Sequence, residues 1–442
     1  MRSRCRCYRR RMASGGGAKR SRLRRLALDL TPLRISRDFR LLWVGQFVSE
    51  LGYQFARVAI YIQVWELTRS PAAVGLTGLT ALVALVAGTL IGSTFIDAKD
   101  RREILLWAQV ALAVSAGILL AGALAGHPPL ALIYGANALT AFVGAIEDPA
   151  RSAMTPRLVG TELIPSALTL NQVLWQTVNI VGPAVAGVLI ARFGFALAYG
   201  LDLVTYGALF LAAFLMRPMP PEHDPDSAAG WAAVKEGFAF VTADRLISST
   251  FVIDLIAMIF GMPAALFPML AITQFDRGPA VAGLLFAAPS VGALVGALSG
   301  GWVRNVRRQG DAVIWAVATW GAAIAAFGLA GSHLWWALGF LAIAGAADVI
   351  SAIFRSTITQ VNTPDRLRGR LSAIFILVVT GGPRLGDFEA GMVATWFTPT
   401  VSVVTGGLAC IVGAGVVALA FPELRTYRPA ARVTPGRASG EA

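Results

Sequence analysis

Five side chains recur every three or four residues within "VGQFVSELGYQFARVAIYIQVW" (44–65): Gln46, Glu50, Gln54, Arg57 and Tyr61. That spacing places a carboxylate, a guanidinium, two amides and a phenol on one side of a helix. Such a set can hold a proton, form ion pairs or bind a polar solute. The surrounding run is apolar enough for a bilayer, where a bare mid-membrane charge costs on the order of 2.5–3.5 kcal/mol. Glu50 and Arg57 stand two turns apart, roughly 10 Å along the axis, too far to pair. Each must meet another helix or water, so this face should look into an internal cavity.

Similar groups lie inside other apolar runs. Asn137, Glu147, Asp148 and Arg151 share one, and Asp202 stands in another. Asp254 stands near the repeat equivalent of Glu50. Asp348 and Arg355 are again seven residues apart, and Arg384, Asp387 and Glu389 follow Gly382-Pro383. Two readings stay open. In one, a carboxylate exchanges protons as parts of the protein move; in the other, acids and bases form fixed bridges between helices. A cavity role suits Glu50 and Asp254, and a structural or gating role suits Glu147, Asp148 and Arg151. Arg384, Asp387 and Glu389 fit a bridge network or proton coupling equally. Tyr53, Tyr61, Trp175, Phe251 and Phe260 are candidate cavity aromatics.

The elements that must position these groups are membrane helices. Of 442 residues, 56% are hydrophobic and 14% charged, against roughly 25% charged in soluble domains. Apolar runs of about 20 residues recur along the chain, each able to cross a hydrocarbon core of ~30 Å. Twelve are read, making an all-α membrane protein of two pseudo-symmetric six-helix bundles. The predicted organisation is a basic cytoplasmic tail 1–38, a first bundle 39–216, a cytoplasmic linker 217–245, a second bundle 246–421 and a cytoplasmic tail 422–442. Within the linker, "WAAVKEGFAFV" aligns Trp231, Val234, Phe238 and Val241 on one face of a surface helix.

Charge sets the expected orientation. Connections after even-numbered spans carry Lys99, Arg101, Arg102, Arg157, Lys235, Arg245, Arg304, Arg307, Arg308, Arg366, Arg368 and Arg370; the others carry Arg69, Arg192 and Arg277. Both termini are therefore expected in the cytoplasm. Residues 1–40 hold fourteen Lys or Arg against Asp29 and Asp38, supplying +12 of the net +13. That tail suits anionic lipid headgroups rather than nucleic acid, since it has no aromatic interleaving or folded platform. Cys5 and Cys7 lack further ligands, so no metal is expected, and with Cys410 they give no disulfide framework.

The halves repeat weakly. Ser93 to Arg102 and Ser299 to Arg308 each end a span on an Arg pair, offset by 206. Gly182-Pro183 and Gly382-Pro383 are offset by 200. A duplicated unit predicts a site between the halves near the midplane. The stretches "SRDFRLLWVGQFVSELG" (36–52), "LTRSPAAVGLTGL" (67–79), "DAKDRREILL" (97–106), "DPARSAMTPRLV" (148–159), "NIVGPAVAGVLI" (179–190) and "TPDRLRGRLSAI" (363–374) resemble the major facilitator superfamily. The likeness is greatest to its branch of siderophore exporters and related secretion and efflux proteins. By that resemblance, Asp97, Arg101 and Arg102 match a loop motif that latches the two halves, with Ser93 at the motif's glycine and Ala98 at its basic position. Gly182, Pro183 and Gly187 match the core of an antiporter motif, with Ala186 at one glycine. As arginines starting a helix, Arg101 and Arg102 should seek acidic or phosphate partners.

The resemblance implies a secondary transporter in the bacterial cytoplasmic membrane, exporting a small amphipathic siderophore-like or drug-like molecule by alternating access with proton antiport. The chain is read as a monomer whose partners are a small-molecule substrate, protons and lipids. An importer or facilitator is the transport alternative; a sensor or scaffold is the alternative of another class. No enzyme and no cofactor are expected, for no GxSxG, HExxH or Walker A pattern occurs and all three histidines fall in predicted loops.

Overall fold

A computed structural model describes residues 29–96, 99–220 and 231–428. Asp97, the tail through residue 28 with Cys5 and Cys7, linker residues 221–230 and residues 429–442 lie outside them. Among the described residues the secondary structure is helical throughout, with no strand.

Besides the five-residue helices Thr31–Ile35 and Pro422–Thr426, the helices are α1 (Arg37–Thr68), α2 (Pro71–Ile96), α3 (Arg101–Leu124), α4 (Leu130–Val159), α5 (Ile164–Leu215), α6 (Trp231–Ala243), α7 (Arg245–Phe260), α8 (Phe267–Thr273), α9 (Pro279–Ser299), α10 (Gln309–Gly328), α11 (Leu334–Asn362), α12 (Asp365–Trp396) and α13 (Pro399–Ala420). Among the described residues, nine helical stretches are long and apolar enough to cross a membrane. Helices α1 and α12 are as long but fall outside that set, and both carry the charges that drew attention in the sequence. Helix α5 runs 52 residues across Gly194, where φ is 77°. That left-handed conformation suits glycine and turns the chain back.

Caps fix several starts. Ser36 accepts from the Phe39 amide at 3.2 Å to begin α1. Asp244 accepts from the Ile247 amide at 3.0 Å to begin α7. Asp100 accepts from the Arg102 amide at 2.8 Å and from the Met219 amide at 2.9 Å, tying the start of α3 to the chain leaving α5. Each side-chain oxygen serves an amide that the first helical turn leaves without a partner.

The run expected as one continuous span over 246–272 is interrupted. Helix α7 stops at Phe260, Ala264–Leu266 form a 3₁₀ turn, and α8 resumes at Phe267. Gly261 and Pro263 supply the reason, since proline disfavours a helical residue before it and removes a donor.

Helices α1 to α5 pack on one another, as do α7 to α13, and these groups meet chiefly where α2 lies on α12 and α5 on α9. Small residues allow both contacts. A methyl group on Gly187 would lie 2.9 Å from the Gly283 Cα, and one on Gly391 would lie 2.5 Å from the Pro71 carbonyl oxygen. Such close backbone approach is how membrane helices associate without a hydrophobic driving force. Pro71 begins α2, Pro279 begins α9 and Gly391 lies near the end of α12, so these approaches are on the side opposite the 217–245 linker.

The linker helix is present, but its inward face differs from the expected one. Val241 and Phe240 pack with Ile247, Phe251, Leu371 and Ile374, whereas Phe238 is exposed. Helix α6 lies against α7 and α12, and the apolar groups of those helices, rather than the spacing within α6, select the buried side.

Candidate functional site

A cavity of about 580 Å³ lies between the two helix groups, bounded by α1, α2, α4, α5 and α12 and the break between α7 and α8. The α1 stripe supplies Glu50, Gln54, Arg57 and Tyr61 to its wall, with Ser49 and Tyr53 beside them. Four of the five stripe residues thus face the cavity, while Gln46 is buried and lines neither it nor the smaller one. Trp175 also lines it; Phe251 does not and is buried in the α6–α7–α12 cluster instead.

Near its linker side the cavity holds four charged groups. Arg151 reaches Glu50 at 3.1 Å, Glu147 at 3.4 Å and Asp148 at 2.5 Å. Glu50, Glu147 and Arg151 are buried, while the Asp148 side chain is 55% exposed. Residues assigned separately to a cavity and to a gate form one cluster, because α4 packs beside α1 and its i, i+3 and i, i+4 positions share a face. Three carboxylates surround one guanidinium, leaving two negative charges in excess if all are ionised.

Toward the opposite side the polarity reverses. Asp387 accepts from the Tyr61 hydroxyl at 2.5 Å and from the Ala265 amide at 2.9 Å. The second bond uses an amide exposed by the α7–α8 break. Arg57 and Arg384 lie close enough to act electrostatically on Asp387. Arg57 stands 5.8 Å from the Phe286 ring centroid. The Arg384 Nη1 is buried with no hydrogen-bond partner. Glu389, expected with this group, lines neither this cavity nor the smaller one described next.

A second cavity of about 190 Å³ adjoins the first and shares Arg57, Asn179, Met262 and Ala264 with it. Its walls are mainly apolar, with Phe267, Phe286, Trp320 and Ile324, and Asp348 is on its lining.

Asp254 departs from its expected cavity position. It pairs with Arg355, both are buried, and neither lines either cavity. Asp348 lies 3.9 Å from the same guanidinium. Helix α11 packs on α7 and brings Arg355 directly over Asp254, closing the route to water.

Among the described residues, Arg101 and Arg102 meet carbonyl groups; Asp97, the acid of the same motif, lies outside them. Arg101 donates to the Ala153 carbonyl at 3.0 Å, and Arg102 to the Ala213 and Phe214 carbonyls at 2.9 and 2.8 Å. The last two are carbonyls in the final turn of α5, the end of a helix that attracts cations. All three acceptors belong to the first helix group.

Gly182, Pro183 and Gly187 sit at close contacts of α5. A methyl group on Gly182 would lie 2.7 Å from the Gln54 Cβ, and Gly187 faces α9. Gln54 donates to Asn179 at 2.7 Å, and Asn179 lines both cavities. Asn179 is missing from the sequence-derived candidates, although it precedes the Gly182-Pro183 motif by one helical turn. Tyr206, Phe286 and Ala265 are missing too; only the Gly261–Pro263 break could have pointed to Ala265. Among the described residues no cluster of three metal-ligating side chains occurs.

Described residues that are all helical, with nine long apolar stretches among them and a charged cavity between two helix groups, have the build of a polytopic membrane transporter. The chain belongs to the transmembrane secretion effector family of the major facilitator superfamily, whose pattern matches residues 27–434. It is 27% identical over 408 residues to the enterobactin exporter of Shigella boydii serotype 18, covering 91% of this chain and 96% of that protein. The enterobactin exporter of Escherichia coli O6:K15:H31 matches with the same identity and coverage. Among solved structures, the nucleoside transporter NupG, as its D323A mutant, superimposes with a TM-score of 0.70 at 12% identity, covering 88% of this chain and 100% of that one. A bacterial homologue of the iron transporter ferroportin in its inward-facing state gives 0.67 at 15% identity, covering 88% and 99%. The family and its named relatives are transporters, not enzymes.

Proposed function

We propose that this transporter exports a small amphipathic molecule, siderophore-like or drug-like, from the cytoplasm in exchange for protons. The observation that carries the reading is the Glu50–Arg151–Glu147–Asp148 cluster on the wall of the larger cavity. An excess of buried carboxylates over cations is costly unless it takes up protons or meets water. Carboxylates within membrane helices mark proton relays for that reason. Rocking of the two helix groups about the cavity would wet the cluster from alternate sides. The enterobactin-exporting relatives support the direction and the siderophore-like substrate class.

In this reading α1, α12, the two arms of α5 and the other apolar helices make twelve spans, and both termini face the cytoplasm. The chain lies as a monomer in the bacterial inner membrane, its basic tail on anionic headgroups. The tight α2–α12 and α5–α9 contacts then close the outer side, and the cavity faces the cytoplasm. Asp97, with Arg101 and Arg102, is proposed to latch the halves, and Gly182, Pro183 and Gly187 to let α5 move against its neighbours.

The test is efflux of a candidate siderophore from proteoliposomes under an imposed pH gradient. Transport that follows the gradient and collapses with a protonophore is expected. Equal rates with and without the gradient would show a facilitator instead.

A further inference from the structure

We propose that the transported molecule is an organic acid, its anionic group held by Arg57 and Arg384 and its apolar body in the adjoining smaller cavity. The inference deepens the export reading and rests on it for the word "transported". Both arginines line the larger cavity, and Arg57 lines the smaller one as well. Among the described residues neither has an ion-pair partner within 4 Å; Arg57 has only the Phe286 ring, and the Arg384 Nη1 has no hydrogen-bond partner. The nearby carboxylate is already engaged, because Asp387 gives its two oxygens to the Tyr61 hydroxyl and the Ala265 amide. Two cations and one anion leave this end of the cavity with a surplus positive charge. Asp348, the other acid facing the smaller cavity, lies 3.9 Å from the Arg355 guanidinium, which it shares with Asp254.

A guanidinium is a planar fork of donors that matches a carboxylate in two parallel bonds. It is worth most where water is scarce. The polar side of the ligand would complete hydrogen bonds that the protein leaves open, which selects against a neutral analogue more strongly than a missing apolar contact does. The Phe267, Phe286 and Trp320 walls of the smaller cavity suit a flat apolar group. The acidic cluster around Arg151 lies at the other end of the same cavity, so an anion is disfavoured there and favoured at the basic end.

The experiment uses the full chain in nanodiscs of zwitterionic lipid without any gradient. Binding of 2-naphthoate, 2-naphthamide and 2-naphthylmethylammonium is measured by calorimetry. The acid should bind at least tenfold more tightly than the amide, and the ammonium more weakly than either. Arg57→Gln and Arg384→Gln should each reduce naphthoate affinity toward that of the amide while leaving amide affinity within twofold. Arg384→Lys should keep part of the preference. On a chain altered only by Tyr53→Cys, naphthoate should slow maleimide labelling of the cavity thiol and the amide should not. Equal affinities, tighter binding of the ammonium, failure of naphthoate to bind, or an undiminished preference in both glutamine variants would overturn the proposal. Because no gradient is applied, failed antiport with an intact acid preference overturns only the export reading. Intact antiport without the preference overturns only this one.

Discussion

Glu50 and Arg151 in the first half correspond to Asp254 and Arg355 in the second, each pair of positions being offset by 204 residues (50 to 254, 151 to 355). Both are buried carboxylate–guanidinium pairs joining the first helix of a half to its fourth. Their surroundings differ. Arg151 meets three carboxylates and lines the 580 Å³ cavity, whereas Arg355 meets Asp254 closely and Asp348 only at 3.9 Å, away from both cavities. One duplicated contact has thus acquired two extra acids and access to water, and its copy has been sealed. A pair matched in charge and closed off can serve as a pin. A cluster with surplus acids beside water is suited to taking up and releasing protons.

The largest effect should come from removing the shared cation. Arg151→Gln strands three carboxylates and should abolish accumulation of folded protein or cost ~3–5 kcal/mol, the range for breaking a buried pair. Arg355→Gln should fall at the lower end of that range, since it strands fewer acids. Thermal unfolding of the purified variants measures the difference, and equal losses would erase the contrast between the halves.

The acids should then behave in opposite ways. Asp254→Asn leaves Arg355 with only a distant partner and should destabilise by about 3 kcal/mol with its transport loss following its stability. Glu50→Gln leaves Arg151 two carboxylates and should cost about 1 kcal/mol, a hydrogen-bond-sized effect. Its transport should nonetheless fall at least tenfold and lose its response to an imposed pH gradient. A stable, fully coupled Glu50→Gln protein would remove Glu50 from the proton reading.

A smaller effect is expected at the basic end. Tyr61→Phe removes a donor to Asp387 and should cost ~1 kcal/mol. Because that bond joins α1 to α12 across the two halves, the variant should raise labelling of a cysteine introduced at Tyr53 by a reagent added from the side opposite the linker. An unchanged labelling pattern would mean that the bond does not hold that side closed.

The smallest effect belongs to an exposed pair that serves as a control. Arg245 and Glu423 meet at 2.7 Å with side chains 60% and 41% exposed. Water and salt screen such pairs, so Arg245→Ala should leave the unfolding temperature within error. Glu423's own backbone amide and Arg245 hold its carboxyl below the usual range. Any contribution is therefore present above the ordinary glutamate range and lost as pH falls through the lowered folded value. A large loss at Arg245 would show that burial is not what separates these ion pairs.

Much of the site was legible because helical periodicity is local. The spacing of Glu50, Gln54, Arg57 and Tyr61 put them on one face, and that face lines the cavity. The cost of a charge in lipid implied that each would find a partner. Local rules could not name that partner: Arg151 lies 101 positions from Glu50. The same rules treated Asp254 like Glu50, since nothing near Asp254 in the sequence reveals that α11 lays Arg355 over it. Phe238 and Val241 show this limit on a surface helix, where the neighbouring helices chose the buried side. Gly261 and Pro263 were a readable signal for the break that frees the Ala265 amide, but their apolar surroundings masked it.

By itself the sequence determined a helical membrane protein, the stripe that faces inward and the small residues at which helices touch. Hydropathy, the 3.6-residue repeat and side-chain size are properties of neighbours along a chain. Tertiary structure alone decided which acids share a cation, which stay wet and where an unmatched positive charge remains. Those outcomes depend on distances between groups more than a hundred residues apart and on whether water reaches them, and only the packed helices set either one.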